Sequence, residues 1–401
     1  MRKWKRRTRA ETLVEAQRNE YYEEISARLG ILQVILYMGL FAFVVLSFLR
    51  NTEMITYRNF YYFFKDLNAS AETVDVFESD AVSYPTASEQ SFALYRQGLA
   101  VAGSESVTVF TATGRQTVSQ TIQYRSPIAA GAGRYLLVYE MGGKQFSLYN
   151  AYTQMFTGTS DYPIYGAAVS DSGMFALISR SEEYTSVVSL YNSSFRLINR
   201  YSKNGYVTDV AISQSGDLIA IPAAKQEGGL WRTQVALHKP YDTADGRVVE
   251  IGQSMPLSCD FSEEGVLSLL CTDGIGFVSG GGDQVDYQRF EGRSIVCATV
   301  TRHGAAVVLR GAAANDRAEL LVFDGKGAQM GAWTPKEAPQ ALDRAGDTVF
   351  CKLQDGVLRI NAQSGEQVLA TAMTENRTLL AVNESECMLC SPQKANYLRF
   401  S

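Results

Sequence analysis

The sequence predicts an all-β protein in which a single β-propeller, of eight four-stranded blades, follows one transmembrane helix. Three observations lead to this prediction. An uncharged apolar run spans Ile31–Leu49 near the N-terminus. From about residue 90 onward, one phrase recurs eight times: an apolar run, a short turn with a glycine, and a second apolar run. Successive copies lie 35 to 49 residues apart, a period typical of a four-stranded propeller blade.

Residues 1–30 form a basic tail whose composition favours helix. The tail holds eight Lys or Arg and five Glu, a net charge of +3, so that the total of −5 leaves −8 for residues 31–401. A nucleic-acid-binding protein needs a positive main surface. The sequence therefore predicts no nucleic-acid partner.

The run Ile31–Leu49 is 19 residues long, and at about 1.5 Å per residue it reaches roughly 28 Å, enough to cross a bilayer core. A buried globular helix is the alternative. A cleaved signal peptide would have a shorter apolar region and a small-residue cleavage site. The basic cluster RKWKRRTR at 2–9 precedes the run, so the positive-inside rule places the tail in the cytoplasm and residues 50–401 outside. We expect a single-pass cell-membrane protein whose first partner is the lipid bilayer.

Residues 50–73 are predicted to be a juxtamembrane linker. Its stretch YRNFYYFFKDL, at 57–67, contains six aromatic residues. Aromatic rings favour the membrane–water interface. The equally good alternative is that they pack against the underside of the outer domain.

Residues 74–401 are predicted to form the propeller. In each phrase the first apolar run is read as strand A and the second as strand B, with a glycine that accepts a positive φ between them. Strand B is apolar on consecutive residues because a sheet between two other sheets buries both faces. The glycine positions are Gly98, Gly133, Gly173, Gly216, Gly265, Gly304 and Gly346, with Glu386 in the eighth copy.

The eighth copy has only three strands before the chain ends. The segments Val74–Phe77 and Ala81–Tyr84 are the β-like sequence not assigned elsewhere. We expect this region to supply the missing strand D and close the ring, which removes exposed sheet edges. Seven blades are the alternative if Gly98 marks an incomplete blade.

No catalytic, cofactor-binding or metal-binding residue is predicted. The two histidines, His238 and His303, belong to different blades. The six cysteines, at 259, 271, 297, 351, 387 and 390, are an even number that permits disulfides. Their positions inside apolar strands favour buried free thiols, with one disulfide or a metal site as alternatives.

The longest repeat, blade 4, carries the candidate partner-binding residues. Its predicted B–C loop, KQEGGLWR at 225–232, contains Lys225, Glu227, Trp231 and Arg232. Its predicted C–D loop, HKPYDTADG at 238–246, contains Tyr241. Trp and Arg are the commonest binding anchors, and long loops on rigid scaffolds often carry function. The alternative is that Trp231 packs back over its own blade.

The rhythm of strand, turn, glycine and strand over roughly residues 90–401 resembles WD40-like and YVTN-type propeller repeats, without the GH and WD dipeptides of WD40 blades. The whole layout more closely resembles an uncharacterised family of single-pass membrane propellers from clostridial bacteria. The matching elements are the basic tail, the single span, the aromatic stretch and the degenerate blades. This resemblance implies no assigned activity.

Two function classes remain open. The first is a non-catalytic scaffold that binds an extracytoplasmic protein or a cell-envelope polymer, with the B–C connections at 180–185, 225–232 and 312–318 facing away from the membrane. The second is a small-molecule sensor or enzyme that uses the central channel. Propellers host both. Scarce histidine favours the scaffold, whereas ionisable residues from several blades converging on the channel would favour the second class.

Overall fold

The computed structural model of this chain describes residues 28–42, 81–96, 98–242, 246–313 and 316–400. The chain divides into two units, Met1–Lys65 and Asp66–Ser401. In the first unit, residues 28–42 are helical and their apolar side chains are exposed. The remainder of the predicted span, at 43–49, and the linker at 50–73 lie outside the described residues. Within the described ranges, no helix is both long enough and apolar enough to cross a membrane.

The second unit is an eight-bladed propeller of antiparallel sheets, and the prediction of eight blades is confirmed. In each blade, strand A is the innermost and strand D the outermost. The strands of blades 1 to 4 are Gln90–Tyr95, Gly98–Gly103, Ser106–Phe110 and Gln116–Thr121; Pro127–Ala132, Tyr135–Glu140, Gln145–Tyr149 and Gln154–Thr159; Ile164–Val169, Phe175–Ser179, Ser186–Tyr191 and Leu197–Lys203; Tyr206–Val207 with Ala211–Ile212 as a divided strand A, Ile219–Glu227, Leu230–His238 and Arg247–Gly252.

Blades 5 to 8 follow the same order, and blade 8 takes its strand D from the N-terminal side of the ring. Their strands are Pro256–Phe261, Leu267–Cys271, Gly274–Ser279 and Gln284–Arg289; Ser294–Thr301, Gly304–Arg310, Ala318–Phe323 and Gln329–Trp333; Ala341–Ala345, Thr348–Lys352, Gly356–Asn361 and Gln367–Thr371; Thr378–Asn383, Glu386–Cys390, Lys394–Arg399 and Ala81–Ser83.

The core lies between neighbouring blades. Strands B such as Gly98–Gly103, Phe175–Ser179 and Leu267–Cys271 are buried at every position, which explains their continuous apolar sequence. One core cluster joins Val308 of blade 6 to Val349 of blade 7. Each blade therefore depends on its neighbours for burial of its faces.

The turn glycines behave as predicted in six of the eight copies, with positive φ at Gly133, Gly173, Gly216, Gly265, Gly304 and Gly346. Gly98 is an exception: it opens strand B, and Arg96 takes the left-handed conformation with a φ of 50°. A Cβ on Gly98 would lie 2.0 Å from the carbonyl oxygen of Phe110. Glycine is required there for close approach of strand C.

Blade 4 has a divided strand A, and a proline explains the division. Pro222 lies in the interior of strand B, opposite the gap between Val207 and Ala211. Proline has no N–H to donate to a ladder. Strand A therefore leaves the sheet at 208–210 and returns at Ala211.

The ring closes through Ala81–Ser83, as predicted. This strand pairs antiparallel with Lys394–Arg399, with Ala81 opposite Asn396 and Ser83 opposite Lys394. The next residue, Tyr84, donates its backbone N–H to Gln393 O at 3.0 Å and its hydroxyl to Ser391 O at 2.6 Å. Strand A of every blade contacts strand A of the next, including blade 8 with blade 1. The segment Val74–Phe77 lies outside the described residues.

The strand order gives the ring two distinct faces. The A–B turns and C–D connections lie on one, called here the A–B face. The B–C and D–A connections lie on the other, called the B–C face. Because Ala81 precedes Ser83 and the pairing with strand C is antiparallel, the chain enters the ring from the A–B face. The ring has the connectivity that the sequence predicts.

Shortening Val82 to Ala should weaken the closure of the ring. Val82 is 4% exposed and packs with Met388 and Tyr397 of blade 8. Removing two buried methyl groups should lower the free energy of unfolding by about 2 kcal/mol, measured by urea denaturation. The matched control is Val248→Ala on an outer strand D, where the side chain is 56% exposed. Equal losses in the two variants would contradict a closure that depends on Ala81–Ser83.

Candidate partner-binding surface

The segment 225–232 is a β-hairpin, and its prediction as a loop is wrong. Strands B and C of blade 4 run to Glu227 and from Leu230, so that only two glycines connect them. Gly228 and Gly229 have φ values of 60° and 83°, the conformation of a two-residue turn that matches the twist of a hairpin. A rigid hairpin thus presents the candidate residues on the B–C face.

Trp231 is partly buried on this hairpin and contacts a neighbouring ring. Its indole meets the phenol ring of Tyr206 edge-on, with centroids 5.8 Å apart and planes at 72°. Such a pair contributes about 0.5–1.5 kcal/mol beyond the area it buries. Tyr206 begins the divided strand A of blade 4. Trp231 therefore packs against its own blade, which is the alternative that the sequence analysis left open.

The three charged candidates on the hairpin interact with one another. Glu227 accepts from Lys225 Nζ at 3.1 Å and lies 3.8 Å from Arg232 Nε. The three side chains are 49% to 59% exposed, so each pair contributes about 0–1 kcal/mol. One carboxylate shared between two cations leaves the hairpin with a net charge of +1.

Arg180 extends the surface onto blade 3, although the sequence does not single it out as a site residue. Its guanidinium carbon lies 5.8 Å from the ring centroid of Tyr165 and 5.7 Å from that of Tyr206. Each cation–π contact at an exposed position contributes about 0.5–1 kcal/mol. Tyr165, Arg180, Tyr206 and Trp231 therefore form one continuous row across blades 3 and 4, which we call the aromatic–arginine row.

A comparison of blades would have found the additional residues. Tyr165 and Tyr206 both stand at the start of strand A, and Arg180 follows strand B in the loop 180–185. The sequence predicts that loop and the segment 225–232 on the same face. Aligning the tyrosines of the two repeats would have placed them next to Arg180.

Tyr241 does not belong to this surface. It follows the end of strand C at His238 and is therefore on the A–B face, where it is 72% exposed. Strand C separates it from Trp231 by at least roughly 20 Å, at about 3.3 Å per residue. The two residues share one repeat, but their connections leave opposite ends of the blade. The two candidates therefore do not line one surface.

Two concave regions lie on the B–C face. A cleft of about 340 Å³ adjoins the hairpin and is lined by Arg232, Thr233, Gln234 and residues 250–253. A larger groove of about 1120 Å³ between blades 7 and 8 is lined by residues that include Lys352 and the D–A connection at 371–378. The first is built mainly from strands C and D of blade 4, and the second mainly from B–C and D–A connections.

A second group of ionisable residues lies in or next to the inner strands. Asp209 Oδ2 accepts from the backbone N–H of Cys259 at 2.9 Å, and Asp343 Oδ2 accepts from that of Ala381 at 2.7 Å. Each bond joins a blade to the next. Among the bonds of the described residues, Asp260 accepts only from the N–H of Phe261, at 2.8 Å. The first two aspartates thus have a structural role.

Charged residues also converge at the A–B end of the channel. Arg302 Nη1 lies 3.4 Å from Asp171 Oδ2, which joins the A–B turns of blades 6 and 3. Burial raises the pKa of Asp209 to about 6 and that of Asp260 to about 7. The nearby carboxylate of Asp209 adds to the rise at Asp260, and Arg302 opposes it. Ionisable groups from several blades therefore meet at the channel.

The remaining candidate chemistry has a simple explanation. All six cysteines are free, and burial raises the pKa of each thiol, which makes them poor nucleophiles. His303 Nδ1 lies 3.7 Å from Glu263 Oε1, and His238 stacks on Tyr201 with centroids 4.3 Å apart. No group of three or more potential metal ligands occurs in the described part of the chain.

The fold and this surface define an eight-bladed propeller with an aromatic–arginine row on one face. The chain belongs to a protein family of unknown function, DUF5711, whose model matches residues 72–396. No curated protein matches the chain in sequence.

Solved propellers resemble the structure without close sequence similarity. Sqt1 from Chaetomium thermophilum, in a structure bound to the N-terminus of the ribosomal protein L10, has a TM-score of 0.55 and 11% identity over 80% of this chain and 100% of Sqt1. BamB from Moraxella catarrhalis has a TM-score of 0.51 and 11% identity over 80% of this chain and 99% of BamB. These likenesses establish the fold.

Replacing Asp260 with Asn should stabilise the ring at alkaline pH. The pKa of Asp260 is about 7 in the folded protein, whereas an aspartate carboxyl ordinarily has a pKa of 3.8. Between about pH 4 and pH 7 the folded state therefore holds a proton on Asp260 that the unfolded chain releases. The free energy of unfolding decreases as pH rises through this range because of this difference. At pH 8 the free energy of unfolding of Asp260→Asn, measured by urea denaturation, should be higher than that of the parent by on the order of 2 kcal/mol. The difference should be smaller at pH 5.

The matched control is Asp286→Asn, on the exposed outer strand of blade 5. Its difference from the parent should stay the same at pH 5 and pH 8. A variant at Asp260 that is less stable than the parent at pH 8 would show that the carboxylate stabilises the channel.

Proposed function

We propose that this chain is a membrane-anchored, extracytoplasmic propeller that acts as a non-catalytic scaffold, binding a protein or cell-envelope polymer through its B–C face. The observation that carries this proposal is the aromatic–arginine row beside the rigid hairpin at 225–232. Aromatic and arginine side chains are the residues most enriched at binding hot spots. The cleft lined by Arg232 supplies concave surface beside the hairpin, and the larger groove lies on the same face between blades 7 and 8.

The Sqt1 structure supports binding of a protein segment as a use of this fold, because that propeller is bound to the N-terminus of ribosomal protein L10. The membrane anchor rests on the sequence of Ile31–Leu49 and on the exposed apolar side chains of the helix at 28–42, among them Leu36 and Phe41, 63% and 71% exposed. The resemblances to WD40-like repeats and to clostridial single-pass propellers belong to the same proposal.

The connectivity of the ring supports this choice of face. The chain enters the ring from the A–B face, so the proposed membrane span is connected to the ring on that side. The B–C face, with its aromatic–arginine row, is the face opposite the point of entry and is the proposed partner-binding face.

A sensor or enzyme that uses the channel is the second candidate. The observation that favours it is the convergence of Asp171, Asp209, Asp260 and Arg302 from four blades. Three of these four make cross-blade contacts, since Asp209 bonds to blade 5 and Asp171 pairs with Arg302. The scaffold is preferred because these contacts give the charged residues a role in holding the ring together.

Removing the hairpin anchors should weaken capture of the partner. Trp231→Ala combined with Arg232→Ala removes a ring and a charge from the B–C face. We expect at least a tenfold loss of partner cross-linked in native membranes, with an unchanged membrane level and only the small loss of thermal stability that follows from removing the contact of Trp231 with Tyr206. Tyr241→Ala, an exposed aromatic on the A–B face, is the matched control and should capture as the parent does. Loss of capture in the control alone would mean that the opposite face binds.

The topology can be tested independently. Protease added to intact spheroplasts should digest the propeller and leave the basic tail, detected with an N-terminal tag. The physical reason is the charge asymmetry across Ile31–Leu49. Digestion of the tail with protection of the propeller would reverse the orientation.

A further inference from the structure

The aromatic–arginine row contains an exposed cation without a carboxylate partner. Among the described residues, the ion pairs and hydrogen bonds include none to the guanidinium of Arg180. Its contacts are the rings of Tyr165 and Tyr206. The two rings contact the guanidinium and leave its N–H donors available, an arrangement suited to bidentate binding of a carboxylate.

The charges nearby restrict which anions fit. Glu182 and Glu183 are exposed in the same B–C loop as Arg180. On the hairpin, Glu227 forms ion pairs with Lys225 and Arg232. These acidic side chains repel a densely charged polyanion. A segment with a single carboxylate, placed at Arg180, avoids that repulsion.

The dimensions fit a short segment. Steps between neighbouring members of the row are 5.8, 5.7 and 5.8 Å, and an extended peptide advances about 3.3 Å per residue. At most about five residues of an extended segment therefore span the row from Trp231 to Tyr165. Alternate side chains of such a segment can meet the rings and Arg180.

We propose that the row binds an extended segment of a partner protein, with one acidic side chain on Arg180 and apolar side chains on Tyr206 and Trp231. This proposal rests on the proposed function and specifies its ligand as a weakly acidic, apolar peptide. Envelope polyanions are excluded as the occupant of this site.

The test uses a phage-displayed library of 12-residue peptides, selected on the full-length protein in detergent. We expect enriched sequences with one Asp or Glu flanked by aromatic or aliphatic residues. A synthetic peptide of the enriched sequence should bind Arg180→Gln at least tenfold more weakly, and Arg180→Lys with an intermediate loss. The matched control is Arg196→Gln, an exposed arginine at the C–D connection of the same blade, which should bind as the parent does.

Several outcomes would overturn the proposal. They are enrichment without an acidic residue, equal binding to Arg180→Gln and the parent, or competition of the peptide by polygalacturonate at equimolar carboxylate. Partner capture separates the two proposals. If the Trp231 and Arg232 changes abolish capture while Arg180→Gln does not, the scaffold stands and the acidic ligand falls. If no change on the B–C face affects capture, the scaffold role itself fails.

Discussion

The pairing of Ala81–Ser83 with Lys394–Arg399 is the contact on which the rest of the structure depends. Each blade buries both faces against its neighbours, so an open ring would expose two apolar sheet faces and a free strand edge. Three residues of strand are a small contact, and Tyr84 reinforces them with two hydrogen bonds to blade 8 and ring contacts to Phe92 and Phe110 of blade 1. Closure therefore joins the first blade to the last through side chains as well as backbone.

Most of the architecture could be predicted because the repeat encodes it locally. Burial on both faces makes strand B continuously apolar, and tight A–B turns require a left-handed residue, so both leave marks in the sequence. A glycine required by the close approach of two strands is harder to recognise in the sequence. Gly98 resembles a turn glycine, but it is needed because the backbone of strand C lies close to it, and Arg96 takes the positive φ. The division of strand A in blade 4 could have been predicted from Pro222, since a proline in an inner strand removes a ladder donor.

The binding surface could be predicted only in part. Glycines and charged residues at 225–232 resemble a loop, yet Gly228 and Gly229 form a turn that extends both strands. Sequence proximity also groups Trp231 with Tyr241, although a strand places them on opposite faces. Of the residues that the sequence does not indicate, Tyr206 belongs to the same blade as Trp231, whereas Arg180 and Tyr165 belong to another blade. Contacts between blades depend on how the ring packs, and a single repeat does not contain that information.

The charged residues of the channel and Arg180 on the B–C face differ in whether their hydrogen-bonding groups remain available to a ligand. In the channel, Asp209 and Asp343 accept backbone N–H groups of the next blade, and Asp171 faces Arg302; their charges are used in holding the ring together. On the B–C face, Arg180 contacts the faces of two rings, which hold the guanidinium without occupying its N–H donors. A ligand gains most where a polar group is already ordered but not yet paired, which favours the B–C face over the channel as the site of recognition.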